Sequence, residues 1–155
     1  MKFWIDGDSC PRKAMEIVLR AHGRRGLQVV VVADRVIPEV GERGAEMNLV
    51  PHGSGEADNR IAMDSREGDI ALTRDFPLGI RLVEKGVTVL NDRGKLWNIR
   101  ELRDRAEEAE LMKAIRKGGI AKKSKRGYSK QDSHNFAAAL DKLLNSQLIP
   151  GESLQ

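Results

Sequence analysis

The chain has 155 residues, 40% of them hydrophobic, and a formal net charge of +4, which is apolar material for one core, so residues 1–155 are expected to form a single domain. No apolar stretch approaches the ~20 residues of a membrane span and no basic-then-apolar block opens the chain, so a soluble cytoplasmic protein with no membrane partner is expected. Cys10 is the sole cysteine, which excludes an internal disulfide and a multi-thiolate zinc site within one chain.

Phe3 to Asp6 is a short apolar run that ends on an aspartate, and Gly7-Asp8-Ser9-Cys10-Pro11 reads as a turn opening a helix with proline in its first turn. Arg12 to Ala21 has helical spacing. Leu27 to Ala33, with valine at every position from Val29 to Val32, suits a strand buried on both faces. Val36 to Ala45 reads as a loop around Pro38, Gly41 and Gly44, Glu46 to Val50 as a weaker strand, and Pro51 to Glu56 as a turn. Asn59 to Arg66 is then expected to be a helix, Ile70 to Thr73 a strand, Leu78 to Lys85 a helix and Val87 to Leu90 a fifth strand. Beyond the turn Asn91-Asp92-Arg93-Gly94, Ile99 to Lys117 reads as a charged amphipathic helix and Gln131 to Asn145 as another. Between them, residues 118–130 are polar, basic and glycine-rich, the composition of a mobile loop. Strands alternating with helices predict an α/β fold: right-handed crossovers, a mainly parallel sheet covered on both sides, and C-terminal helices.

In such sheets, ligand-binding side chains gather outside the carboxyl ends of the strands. Asp6 and Asp8 follow the first strand and Asp75 follows the fourth, with Asp58 at the start of a helix. Carboxylates brought together repel unless a cation joins them, and oxygen-only ligands favour Mg²⁺ or Mn²⁺. Each acid also has a plainer use: Asp8 or Ser9 can cap the helix at Pro11, Asp58 the helix at Asn59, and Asp75 the helix at Phe76-Pro77. Asp69 precedes its strand and so belongs to the opposite edge. Cys10 reads as a small buried hydrophobe, and His22, His52 and His134 as surface or capping residues. Trp4 is expected in the core and Trp97 as an anchor for the C-terminal helices.

Charge is distributed unevenly. Lys113 to Lys130 holds eight Lys/Arg and no Asp/Glu, so the rest of the chain is net −4. An acidic face beside a basic segment suits an enzyme acting on a polyanion. Lys122, Lys123, Lys125, Arg126 and Lys130 are candidates to neutralise nucleic-acid phosphates, with Tyr128 to stack on a base. Arg35 and Arg74 are further phosphate contacts, or else partners of neighbouring acids.

Phe3-Trp4-Ile5-Asp6-Gly7-Asp8-Ser9-Cys10-Pro11 resembles the opening Asp-Ala-Asp-Ala-Cys-Pro signature of the bacterial YaiI/YqxD family, within the PIN-like nuclease superfamily. The similarity continues through Val30 to Ala33, Glu56 to Ile61, Gly68 to Asp75, Pro77-Leu78, Gly86 and Asn91 to Gly94. This resemblance implies a PIN-like three-layer sandwich. It further implies a nuclease of RNA or DNA in which Asp6, Asp58 and Asp75 hold Mg²⁺ or Mn²⁺, with Asp8 a fourth acid and Thr73 the small hydroxyl residue before the strand-end aspartate. The chain departs from the pattern at Gly7 and Ser9, where the family has alanines, and at Phe76. Two other functions fit the same residues: a haloacid-dehalogenase-like phosphatase with Asp6 as nucleophile and Asp8 as acid, and a nucleic-acid-binding module without turnover.

Overall fold

The computed structural model describes residues 1–119 and 127–147. Five strands form one sheet: β1 (Lys2–Asp6), β2 (Gln28–Ala33), β3 (Glu46–Leu49), β4 (Ile70–Leu72) and β5 (Thr88–Leu90). Every neighbouring pair is parallel, in the order β3-β2-β1-β4-β5. The helices are α1 (Arg12–Arg25), α2 (Pro38–Glu42), α3 (Glu56–Asp64), α4 (Phe76–Glu84), α5 (Ile99–Lys117) and α6 (Lys130–Gln147). Among the described residues no helix is long and apolar enough to cross a membrane.

Side-chain alternation along the strands divides the core in two. Phe3, Ile5, Val29 and Val31 point to one face and meet Val18 and Leu19 of α1 and Phe136 and Leu140 of α6. Trp4, Val30, Val32 and Val89 point to the other and meet Ile61 of α3 and Leu78 and Leu82 of α4. The result is a helix–sheet–helix sandwich with both sheet faces covered, which is why the strands read as unbroken apolar runs.

Several local expectations need correcting. The stretch Val36 to Ala45 is not all loop: Pro38 sits in the first turn of α2, which buries Val40. Helix α3 starts at Glu56, ahead of the expected Asn59, because Gly55 takes the left-handed conformation at its N-cap. A glycine cap leaves no Ser, Thr, Asp or Asn signal to read. The α5 helix is not amphipathic in the expected sense, since only Leu102 is buried along its length. It begins with a capping box, Asn98 accepting from the Glu101 N–H at 2.8 Å and Glu101 accepting from the Asn98 N–H at 3.4 Å.

Trp97 anchors this region as expected. It packs edge-on against Phe76 with ring centroids 5.8 Å apart, and Lys95 and Arg105 lie over its ring. Trp4 is buried, and its indole N–H donates to Asp69 at 3.0 Å.

Helix α6 is seated on the turn after β5. Gly94 has φ +91°, and a Cβ there would lie 2.7 Å from the Asn135 carbonyl oxygen and 3.0 Å from the Ala139 Cβ. Gly94→Ala is therefore both strained and in collision with backbone. It should cost about 2–3 kcal/mol, and at about 2–4 °C per kcal/mol lower the thermal midpoint by about 5–10 °C. An unchanged midpoint in a circular dichroism melt would mean that α6 does not sit on this turn.

Candidate functional site

The chain steps outward from β1 to β2 and β3, then returns to the other side of β1 for β4 and β5. Strand order thus reverses between β1 and β4, and the crevice at their carboxyl ends is where open α/β sheets bind ligands. Asp6 ends β1, and Thr73-Arg74-Asp75 follows β4.

Asp6 is only 4% exposed. Its Oδ2 accepts from the Ser9 hydroxyl at 2.9 Å and the Thr73 hydroxyl at 3.1 Å. Among the described residues its Oδ1 has no hydrogen bond. Thr73 Oγ1 in turn accepts from the Asp75 N–H at 3.0 Å, so one hydroxyl joins the ends of β1 and β4. Asp75 does cap α4, accepting from the Leu78 N–H through Oδ1 at 2.8 Å.

The other two acids are not caps. Asp58 lies inside the first turn of α3. Asp8 accepts from the Asp34 N–H at 3.2 Å through Oδ2, while Pro11 occupies the N-cap of α1 with no side-chain cap. Asp6, Asp8, Asp58 and Asp75, together with Asp34, Ser9 and Arg35, line one cleft of about 390 Å³.

These carboxylates disturb one another. Burial pushes Asp6 above the usual carboxylate range, against the Ser9 and Thr73 hydrogen bonds, and the charges of Asp75 and Asp8 push the same way. Asp8 is raised by burial and by its neighbour Asp34. Asp58 is pushed up to about 7, by burial first, then by the charges of Asp75 and Asp6 and a hydrogen bond shared with Asp75. Asp69 behaves oppositely. Although burial opposes ionisation, hydrogen bonds from the Lys2 N–H, the Trp4 indole and the Arg66 N–H hold it below the usual range. Asp69 sits at the opposite edge of the sheet, in a larger cleft of about 740 Å³, and its task there is structural.

Among the described residues, no three His, Cys, Asp or Glu side chains converge closely enough to hold an ion as placed. The chemistry of the donors nevertheless suits a hard divalent cation: the acids are oxygen-only ligands and they repel one another.

Three residues were missed from the sequence. Asp34 follows β2 just as Asp6 closes β1, so the rule that singled out Asp6 also marks Asp34. It accepts from His52 Nδ1 at 2.6 Å, which places an exposed imidazole on the rim. Asp92 follows β5 and is 1% exposed. It is neutralised by Arg74, whose Nε donates at 2.6 Å, with Arg93 nearby. Arg74 is thus the partner of an acid, whereas Arg35 is exposed and lines the cleft.

The basic segment is described only at its ends. Lys122, Lys123, Lys125 and Arg126 lie outside the described residues. Tyr128 packs against the first core, and its hydroxyl donates to the Asp92 carbonyl at 2.6 Å, so the ring serves as an anchor. Lys130 is exposed at the start of α6. Ser129 and Asp132 cap that helix reciprocally, each accepting from the other's N–H at 3.0 Å. Cys10 is packed against the core, and burial pushes its thiol well up, leaving it unreactive. His22 bonds the Leu27 carbonyl oxygen at the end of α1, and His134 is exposed.

Comparison with known proteins follows the motif order. A protein of Myxococcus xanthus, named only as a UPF0178 protein, is 38% identical over 146 residues, spanning 93% of this chain and 94% of that protein. UPF0178 proteins of Treponema denticola and Geobacter metallireducens are each 35% identical, over 148 and 144 residues, covering 96% and 93% of this chain and 94% and 93% of theirs. No solved structure matches. Residues 4–146 match the model described as "Uncharacterized BCR, YaiI/YqxD family", and the chain belongs to that family.

Proposed function

We propose that the cleft between β1 and β4 hydrolyses phosphodiester bonds of RNA or DNA with Mg²⁺ or Mn²⁺ held among Asp6, Asp58 and Asp75, and Asp8 beside them. The observation that carries this reading is the raised Asp58, pushed to about 7 by burial and by the charges of Asp75 and Asp6. Acids that disfavour one another's ionisation at the switch point of a sheet suit a cation as their counter-charge. Such an ion supplies Lewis-acid stabilisation of phosphoryl oxygens and a more acidic bound water.

The chain's own residues have distinct tasks in this reading. Ser9 and Thr73 hold Asp6 by one oxygen and leave the other for the cleft. The α4 amide fixes Asp75. Arg35 contacts a substrate phosphate at the cleft. Asp34 orients His52 through Nδ1, leaving Nε2 free to carry a proton at the rim. The end of the basic segment is tied through Tyr128 to Asp92 on the same sheet edge, which suits a sequence-nonspecific grip on nucleic acid. A phosphatase using Asp6 as nucleophile gives Asp58 no task and demands attack by a carboxylate 4% exposed.

Labelled single-stranded RNA and DNA, incubated with Mg²⁺ or Mn²⁺, test the reading directly. Cleavage should appear with the wild type and fall by roughly a hundredfold or more in Asp6→Asn/Asp75→Asn, the scale of losing an electrostatic stabiliser. Binding of nucleic acid without cleavage by either protein would replace the nuclease with a binding module.

Stability gives a second, activity-free check. An unfolded aspartate releases its proton near about pH 4, whereas folded Asp58 keeps it to about 7. Between those values the folded state binds more protons than the unfolded, so the Asp58 contribution to stability falls as pH rises through the interval. Asp58→Asn should therefore raise the thermal midpoint at pH 8 and leave it nearly unchanged at pH 4. Mg²⁺ should stabilise the wild type at pH 8 more than at pH 5, because protons compete for the ligands. Equal Mg²⁺ responses in wild type and Asp58→Asn would remove Asp58 from the metal site.

A further inference from the structure

The α5 helix spans Ile99–Lys117, and only Leu102 is buried along it. Leu102 packs toward α4, where a Cβ at Gly79 would lie 2.8 Å from its Cδ2. Leu111 comes nine residues later, which at about 100° per residue places it half a turn round the helix, facing away from that contact. Leu111 is 61% exposed and Met112 39%. Glu108, Leu111, Met112 and Ile115 recur at i, i+3, i+4 and i+7 and therefore share one face.

Charge along this stretch is segregated. Glu107, Glu108 and Glu110 precede the apolar pair; Lys113, Arg116 and Lys117 follow it. Glu108 meets Arg105 at 3.7 Å, whereas Glu107, Glu110, Lys113, Arg116 and Lys117 form no ion pair among the described residues. Basic residues in a last turn complement the helix dipole, which accounts for Arg116 and Lys117. It does not account for two large exposed apolar side chains set between blocks of opposite sign.

We propose that this face of α5 docks a second copy of the chain, the two helices running antiparallel about a two-fold axis near Met112. A two-fold contact must be self-complementary. Centred on Met112, antiparallel apposition sets Glu107 opposite Lys117 and Glu108 opposite Arg116, with Met112 meeting its own equivalent. A parallel pairing would set like charges together and is excluded by the same pattern.

The test is solution mass by light scattering at micromolar concentration, on wild type and two charge variants. Wild type should run at twice the chain mass. Glu107→Lys/Glu108→Lys/Glu110→Lys and Lys113→Glu/Arg116→Glu/Lys117→Glu should each self-associate at least about tenfold more weakly, and an equimolar mixture of the two should restore the two-chain species. Leu111→Asp should also be monomeric, and unchanged circular dichroism confirms that each variant folds. A wild type at single-chain mass throughout would overturn the proposal. So would variants that associate like the wild type, or a mixture that gains nothing.

Discussion

The candidate site is built around a buried carboxylate, Asp6, held by hydroxyls from two sides. A carboxylate taken out of water is costly unless hydrogen bonds replace the lost hydration. Ser9 from the following turn and Thr73 from beyond β4 provide them on the same oxygen. Thr73 also receives the Asp75 N–H, and Asp75 receives the Leu78 N–H. A single run of hydrogen bonds thus passes from the end of β1, across the point where strand order reverses, to the first turn of α4. The spacing of the acids is fixed by this run rather than by the loops alone.

Aspartates at the two edges of the sheet contrast in how their charge is met. Asp69, at the amino edge, is surrounded by three N–H donors and favoured as an anion. Asp92, at the carboxyl edge, is met by Arg74 and Arg93. Asp58 has neither solution in full: Arg81 lowers its pKa, but burial, Asp75 and Asp6 prevail. Buried acids with a purely structural task normally resemble Asp69 or Asp92, because an unmet charge destabilises the fold. A strained carboxylate beside others in a cleft is the pattern of a site that expects an outside counter-charge.

Much of this was legible in sequence because both sheet faces are covered, which turns strands into continuous apolar runs such as Val29 to Val32. Aspartates directly after those runs mark the carboxyl edge, and Asp6 and Asp75 were found that way. Asp34 and Asp92 obey the same pattern but lie beside valine-rich and turn signals that drew attention to backbone rather than side chain. The start of α3 was hidden because its cap is a left-handed glycine, so Asp58 was read one turn too early, as a cap. What no sequence rule conveys is which arginine is spoken for: Arg35 and Arg74 look alike in one dimension, and only the folded position of Asp92 separates them.

The same geometry joins the acidic cleft to the basic segment without any long-range motion. Ser9 bonds Asp6 and lies 3.5 Å from the Arg74 N–H, Arg74 pairs with Asp92, and the Asp92 carbonyl receives the Tyr128 hydroxyl. The chain therefore leaves α5 with a basic last turn and re-enters the fold at Tyr128, on the same edge that carries the acids. A polyanion approaching that edge meets positive charge before it meets the carboxylates, which would otherwise repel it. Placing the attractive and the repulsive charges on one rigid sheet edge, with Arg74 and Asp92 between them, lets a negatively charged substrate be drawn toward a negatively charged site.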